Sequence, residues 1–139
     1  MERSSPEAAC ADSALLQRLA SLAAAAPSLE LLVLHGSRAR GEAHSASDWD
    51  FAYLADAVFD PAALVARLVA AVGSERVDLA DLSRASGLLR YRCARDGAIV
   101  YERDGGAFER FQLRAIAFWL DMAPVVRAEL DARLERLGS

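Results

Sequence analysis

Apolar positions along this chain change period several times, and each change marks an element. Asp12 and Ser13 are both able to cap a helix, and Leu15, Leu16, Leu19 and Leu22 then give one apolar stripe. Pro27 ends it, so the expected helix reaches about Ala25, with residues 1–11 a flexible lead-in. Leu31, Leu32, Val33 and Leu34 form a solid apolar run inside a strand expected over Glu30–His35, and it stops at Gly36-Ser37. A short helical turn is expected over Arg38–Gly41. Beyond a polar loop with His44, Ser45 and Ser47, the alternation of Trp49, Phe51 and Tyr53 marks a second strand over Asp48–Ala55.

Asp60-Pro61 opens a helix, Leu64, Val65, Leu68, Val69 and Val72 line its inner face, and Gly73 closes it. Arg76–Leu82 reads as a third strand, and Ser83 as the cap of a helix to about Arg95. Asp96-Gly97 turns the chain into a short fourth strand, Ala98–Glu102. Asp104-Gly105-Gly106 breaks it again. The remainder, 106–137, reads as helix, kinked or split at Pro124. The order is helix, strand, strand, helix, strand, helix, strand, long helix. That order points to a small α+β fold with a sheet of about four strands, helices on the face away from the site, and no doubly wound sheet.

Composition narrows the function classes. At 139 residues the expectation is one domain, 1–139, long enough to bury roughly two-thirds of its unfolded surface. No apolar run approaches the ~20 residues of a membrane span, and MERSSPEAACADS has no apolar signal core. Cys10 and Cys93 lie far apart and form no metal-ligand pair, so a reduced, cytoplasmic protein is expected. A net charge of −4 argues against direct nucleic-acid binding, though not against a nucleotide carried in with magnesium.

The candidate chemistry lies in LLVLHGSRARGEAHSASDWDFAYL, Leu31 to Leu54. Asp48 and Asp50 share one strand face because side chains alternate with period two. Two carboxylates at about 4 Å repel by about 4 kcal/mol at an effective dielectric near 20, so a shared cation or a shared proton is implied. Hard oxygen ligands suit magnesium, which takes one or two carboxylates plus substrate phosphates. Gly36 permits a tight turn and close backbone approach. Ser37 adds a hydroxyl, and free N–H groups there suit an anion. Arg38 and Arg40 flank the turn, either to grip a triphosphate in two-pronged fashion or simply to solvate the loop. On the third strand Asp78 and Asp81 are three apart and face opposite sides, and apolar residues accompany both. The period alone does not choose the third carboxylate.

This Gly-Ser, ten residues, Asp-x-Asp arrangement resembles the signature of the polymerase-beta-type nucleotidyltransferases. The short chain and the GSRARG turn look most like the minimal nucleotidyltransferases, a group that includes the MntA-type antitoxins paired with HEPN-domain toxins. The resemblance implies a small nucleotidyltransferase fold with a short mixed sheet. It implies two magnesium ions on Asp48, Asp50 and Asp78, with Asp78 also helping to deprotonate the acceptor. Gly36, Ser37, Arg38 and Arg40 would hold the nucleotide phosphates, and ATP would be the AMP donor.

The expected activity is transfer of AMP to a hydroxyl, a tyrosine by resemblance, of a HEPN ribonuclease toxin, in a hetero-oligomer with that toxin. Larger relatives carry a second domain for the acceptor, whereas only a helical tail follows here, so a partner is expected to supply acceptor specificity. One alternative is a transferase acting on a small molecule such as an aminoglycoside. Another is an antitoxin with a vestigial site that acts by contact alone. His35 and His44 lie near the site, where a metal-ligand role stands beside the plain reading of a strand-end and a loop histidine, and Tyr91, Arg92 and Arg95 could contact a nucleotide base or a partner, though nothing in the spacing selects them. Phe108, Phe111, Phe118 and Trp119 read as core or as an apolar contact surface.

Overall fold

The computed structural model describes residues 6–42, 47–56 and 58–138. Its elements are α1 (Pro6–Ala24), β1 (Leu29–His35), α2 (Gly36–Ala39), β2 (Trp49–Ala55), α3 (Pro61–Val72), β3 (Val77–Asp81), α4 (Gly87–Asp96), β4 (Ala98–Glu102) and α5 (Ala107–Gly138). The fold is α+β, with one sheet in the order β3-β2-β1-β4. β1 pairs antiparallel with β2 and β4, and β2 pairs parallel with β3. The parallel pair exists because α3 carries the chain back between β2 and β3, as a parallel connection requires.

Strand alternation splits the interior into two cores. Leu32, Leu34, Phe51 and Tyr53 face α1 and α3, where Leu19, Leu64 and Leu68 are buried against them. Leu31, Val33 and Ala52 face the opposite way, onto Leu82, Cys93 and Ala94, with Phe108, Phe111 and Ala115 of α5. The helices thus cover both sides of the sheet, not one side as the element order suggested. The α4/α5 side is closed over only part of its length, and the site lies at its open end.

Several boundaries differ from expectation. The first helix begins at Pro6, well before Asp12, because proline suits a first helical turn and Glu7, Ala8 and Ala9 are good helix formers. Within it Leu16 is 40% exposed and Ala23 is buried in its place. α2 occupies Gly36–Ala39, two residues before the expected turn. α4 is capped by Ser86, whose side chain accepts from Leu89 N. Ser83 instead donates its hydroxyl (2.6 Å) and its backbone N–H (2.9 Å) to Asp81 Oδ1, which ends β3. The α3 termini match the sequence signals: Asp60 accepts from Ala63 N, Pro61 follows, and Gly73 closes the helix at φ 72°. α5 continues unbroken through Pro124 over 32 residues.

The last helix divides in two. Its first half is anchored by Phe108 N–H donating to Glu102, by Gln112 donating to Ala94 O and by the stack of Trp119 on Tyr91 at 5.4 Å. Gly87 lets the helices meet, since a Cβ there would lie 2.7 Å from the Phe118 ring. Beyond this contact the side chains are largely exposed. The division is testable by chemical denaturation. Phe111→Ala, at a site 1% exposed, is expected to cost about 3–5 kcal/mol of folding stability. Leu113→Ala, two residues on and on the opposite face of the helix, 65% exposed, is expected to cost no more than about 0.5 kcal/mol.

Candidate active site

Three strands bring the site together through their register. His35 of β1 lies opposite Asp50 of β2, and Asp50 lies beside Asp78 of β3. Directly paired residues share a face, so His35, Asp50 and Asp78 form a row across the sheet on the α4/α5 side. Asp81 pairs with Tyr53 instead, on the α1/α3 side. Burial, followed by the charge and hydrogen bond of Asp81, holds the Tyr53 phenol above its ordinary pKa. Asp81 is thus occupied with a buried tyrosine and the Ser83 turn, whereas Asp78 is exposed beside Asp50.

Asp48 immediately precedes β2. Its Oδ1 accepts from Arg76 Nε at 3.0 Å, with both side chains more than half exposed. The contact extends the parallel register one step: Trp49 N–H donates to Arg76 O, which sets Asp48 beside Arg76 as Asp50 is beside Asp78. Arg76 is a site neighbour that sequence reading missed. Its signal is the matched pair Asp48-x-Asp50 and Arg76-x-Asp78, visible only once the two strands are known to run parallel.

Gly36 is pressed against this row. Its φ is +73°, and a Cβ would lie 2.5 Å from Asp50 Oδ2. Only glycine meets both the left-handed backbone and the close approach. The glycine turn is therefore in contact with the acidic row. Ser37 follows in α2 and is half-buried. Arg38 lies over the Trp49 ring at 3.9 Å and donates to Ser47 O at 2.9 Å, so it braces the loop back against the start of β2. Arg40 pairs with Glu42 at 3.0 Å in the open. His44 and Ser45 lie outside the described residues.

Below the row sits Cys93 of α4, a buried free thiol. Burial, and then the nearby Asp50 charge, push its pKa up to about 11. It is a neutral packing residue at physiological pH. His35 Nε2 is buried and has no hydrogen-bond partner. Arg95 is held by Asp96 and lies over Tyr91, and Arg92 is exposed.

The donor set fits magnesium in kind: hard carboxylate oxygens on one face, with a glycine turn alongside for phosphate. Among the described residues no three such groups converge tightly enough to enclose an ion, and one oxygen of Asp48 is held by Arg76. A carboxylate has two oxygens, and Asp48 Oδ2 is not used by that pair.

Comparison with known proteins agrees with this geometry. Residues 17–105 match the family described as polymerase beta, nucleotidyltransferase. The protein adenylyltransferase MntA of Aphanizomenon flos-aquae is 31% identical, over 76% of this chain and 78% of that protein. A crystal structure of a toxin-antitoxin with AMP-PNP matches with a TM-score of 0.66 and 27% identity, covering 92% of this chain and 99% of that one. The structure of a tri-AMPylated Shewanella oneidensis HEPN toxin in complex with its MNT antitoxin matches at 0.64 and 27%, covering 91% and 98%. Motif, register and relatives agree: the chain belongs to the polymerase beta nucleotidyltransferase family.

Proposed function

We propose that this protein is an antitoxin that transfers AMP from ATP to a tyrosine hydroxyl of a partner HEPN ribonuclease toxin and so silences it. The observation that carries the reading is the row of Asp50 and Asp78 in contact with the Gly36 turn. Relatives support the substrates: one is a protein adenylyltransferase, one toxin-antitoxin structure holds an ATP analogue, and one holds an AMP-modified HEPN toxin. The reading places the reaction in the cytoplasm, where ATP and a ribonuclease toxin meet. Among the described residues no helix is long and apolar enough to cross a membrane.

Asp48, Asp50 and Asp78 are the groups to hold magnesium, two ions in this reading. Bound there, the metal neutralises triphosphate charge and favours ionisation of the attacking hydroxyl. Gly36 and Ser37 offer N–H groups and a hydroxyl to the phosphates. Arg40 is placed to add charge, and Arg38 keeps the turn in position while lending its own. Asp78, more open than Asp50 beside it, takes the proton of the acceptor hydroxyl. The hydroxyl oxygen bonds to the α-phosphorus, the bond from that phosphorus to the β-phosphate bridge breaks, and pyrophosphate leaves. The AMP left on the toxin adds a negative phosphate and a bulky base, both of which oppose RNA binding.

Three measurements test this. Asp78→Asn is expected to lower transfer from labelled ATP by about two to four orders of magnitude, whereas Asp81→Asn changes the rate only modestly and lowers thermal stability by weakening its charge-assisted Ser83 contacts. The opposite ranking would refute the assignment of the third carboxylate. Gly36→Ala is expected to cost about a hundredfold in rate by displacing Asp50. Gly41→Ala, also at positive φ but with nothing within 4 Å, costs far less. Finally, mixing the protein with its toxin, ATP and magnesium should add mass to the toxin in AMP units, and Asp48→Asn should prevent it. Neutralisation without added mass, undiminished in Asp48→Asn, would establish a contact-only antitoxin.

A further inference from the structure

The free half of α5 carries a pattern that neither the core nor the active site uses. From Leu113 to Leu137 the chain places apolar residues at alternating intervals of three and four. At Ile116 the stripe still touches the α4/α5 core. Beyond it, Leu120, Ala123, Leu130, Leu134 and Leu137 continue in strict heptad step, with Arg127 the one polar member. Leu120 is 66% exposed, Leu134 64% and Leu137 84%. A groove lined by Leu120, Ala123, Arg127 and Asp131 follows the same line. A helix that packs on a globular core shows a broad apolar face, whereas a two-in-seven stripe is the seam of a coiled coil.

Direction argues that this seam does not serve the acceptor. The C-terminal end of α4 lies at the site, since Cys93 senses Asp50 and Asp96 senses Arg40. α5 runs antiparallel to α4, from Gln112 beside Ala94 to Phe118 beside Gly87. Residues 120–137, about 27 Å of helix, therefore lead away from the carboxylates.

The charge pattern selects the occupant. In a parallel pair, Arg127 would face Arg127 across the seam, which is repulsive. In an antiparallel pair with its two-fold axis between residues 128 and 129, Arg127 packs its stem on Leu130 of the second copy. Its guanidinium then lies beside Asp131 of that copy, twice over by symmetry. The same register sets Ala123 opposite Leu134 and Leu120 opposite Leu137, small against large and large against large, with no charge buried alone. We infer that residues 120–137 of α5 form an antiparallel coiled coil with a second copy of this chain. The contact is short compared with interfaces of about 1,000 Å² that hold stable dimers, so association is reversible.

Sedimentation equilibrium on the full chain tests this independently of any transfer activity. The expected result is an average mass rising with concentration toward twice that of the monomer. Leu130→Asp with Leu134→Asp should leave only monomer, with the thermal melt of the body unchanged because these side chains touch nothing in it. Asp131→Arg should weaken association by about tenfold, and Arg127→Asp with Asp131→Arg should restore it. A monomer at every concentration would overturn the inference, as would a dimer that survives the Leu130→Asp, Leu134→Asp pair. Failure of the double charge swap to restore association would overturn the register. A monomeric chain whose Leu130→Asp, Leu134→Asp variant loses toxin binding would assign the seam to the toxin instead, and would equally overturn it.

Discussion

Everything in the site depends on how β2 is paired with its two neighbours. Asp50 is the middle member of a row that β1 and β3 complete from either side, and the glycine turn closes on the same carboxylate. In a sheet the side-chain period is two, so a slip of one residue in either pairing would send Asp50 or Asp78 into the opposite core. The apolar residues interleaved with the acidic ones prevent this. Phe51 and Tyr53 are buried on one side and Ala52 on the other, and no slipped register keeps all three dry. The hydrophobic cores therefore do more than stabilise the fold. They hold like charges in proximity against roughly 4 kcal/mol of repulsion for a close pair at moderate dielectric.

Much of this was legible in the residues. The Gly-Ser turn and Asp-x-Asp spacing pointed to the nucleotidyltransferase family, and Trp49, Phe51 and Tyr53 gave the β2 face correctly because one side of that strand's start is polar. Asp78 and Asp81 could not be separated, and the reason is physical. β3 carries apolar residues on both sides, Val77 and Leu79 packing partly on one core and Ala80 on the other, and a strand packed on both faces loses the alternation that reports orientation. The α4 cap differs for a related reason: Ser83 and Ser86 are chemically equivalent as caps, and the choice was made by Asp81, which holds Ser83 in the turn. His35 and Arg76 enter the site only through cross-strand register, a non-local property that no local pattern contains.

The long helix shows the opposite case. Its heptad step is plain in the sequence but has no meaning until exposure is known, because the same leucines packed on the body would be core. Only when Trp119 is seen stacked on Tyr91, and the chain beyond it bare, does the stripe become an interface rather than a filling.

The two carboxylates of β3 illustrate how a thin sheet separates tasks. Asp78 opens to solvent beside Asp50, and Asp81, three residues on, points through to the other side and holds Tyr53 and the Ser83 turn. The sheet separates their partners, Asp50 for one and Tyr53 with Ser83 for the other. A substitution that alters the turn at Asp81 therefore changes contacts that Asp78 does not share. One five-residue strand can thus drift on its structural side while its chemical side stays under a different selective pressure.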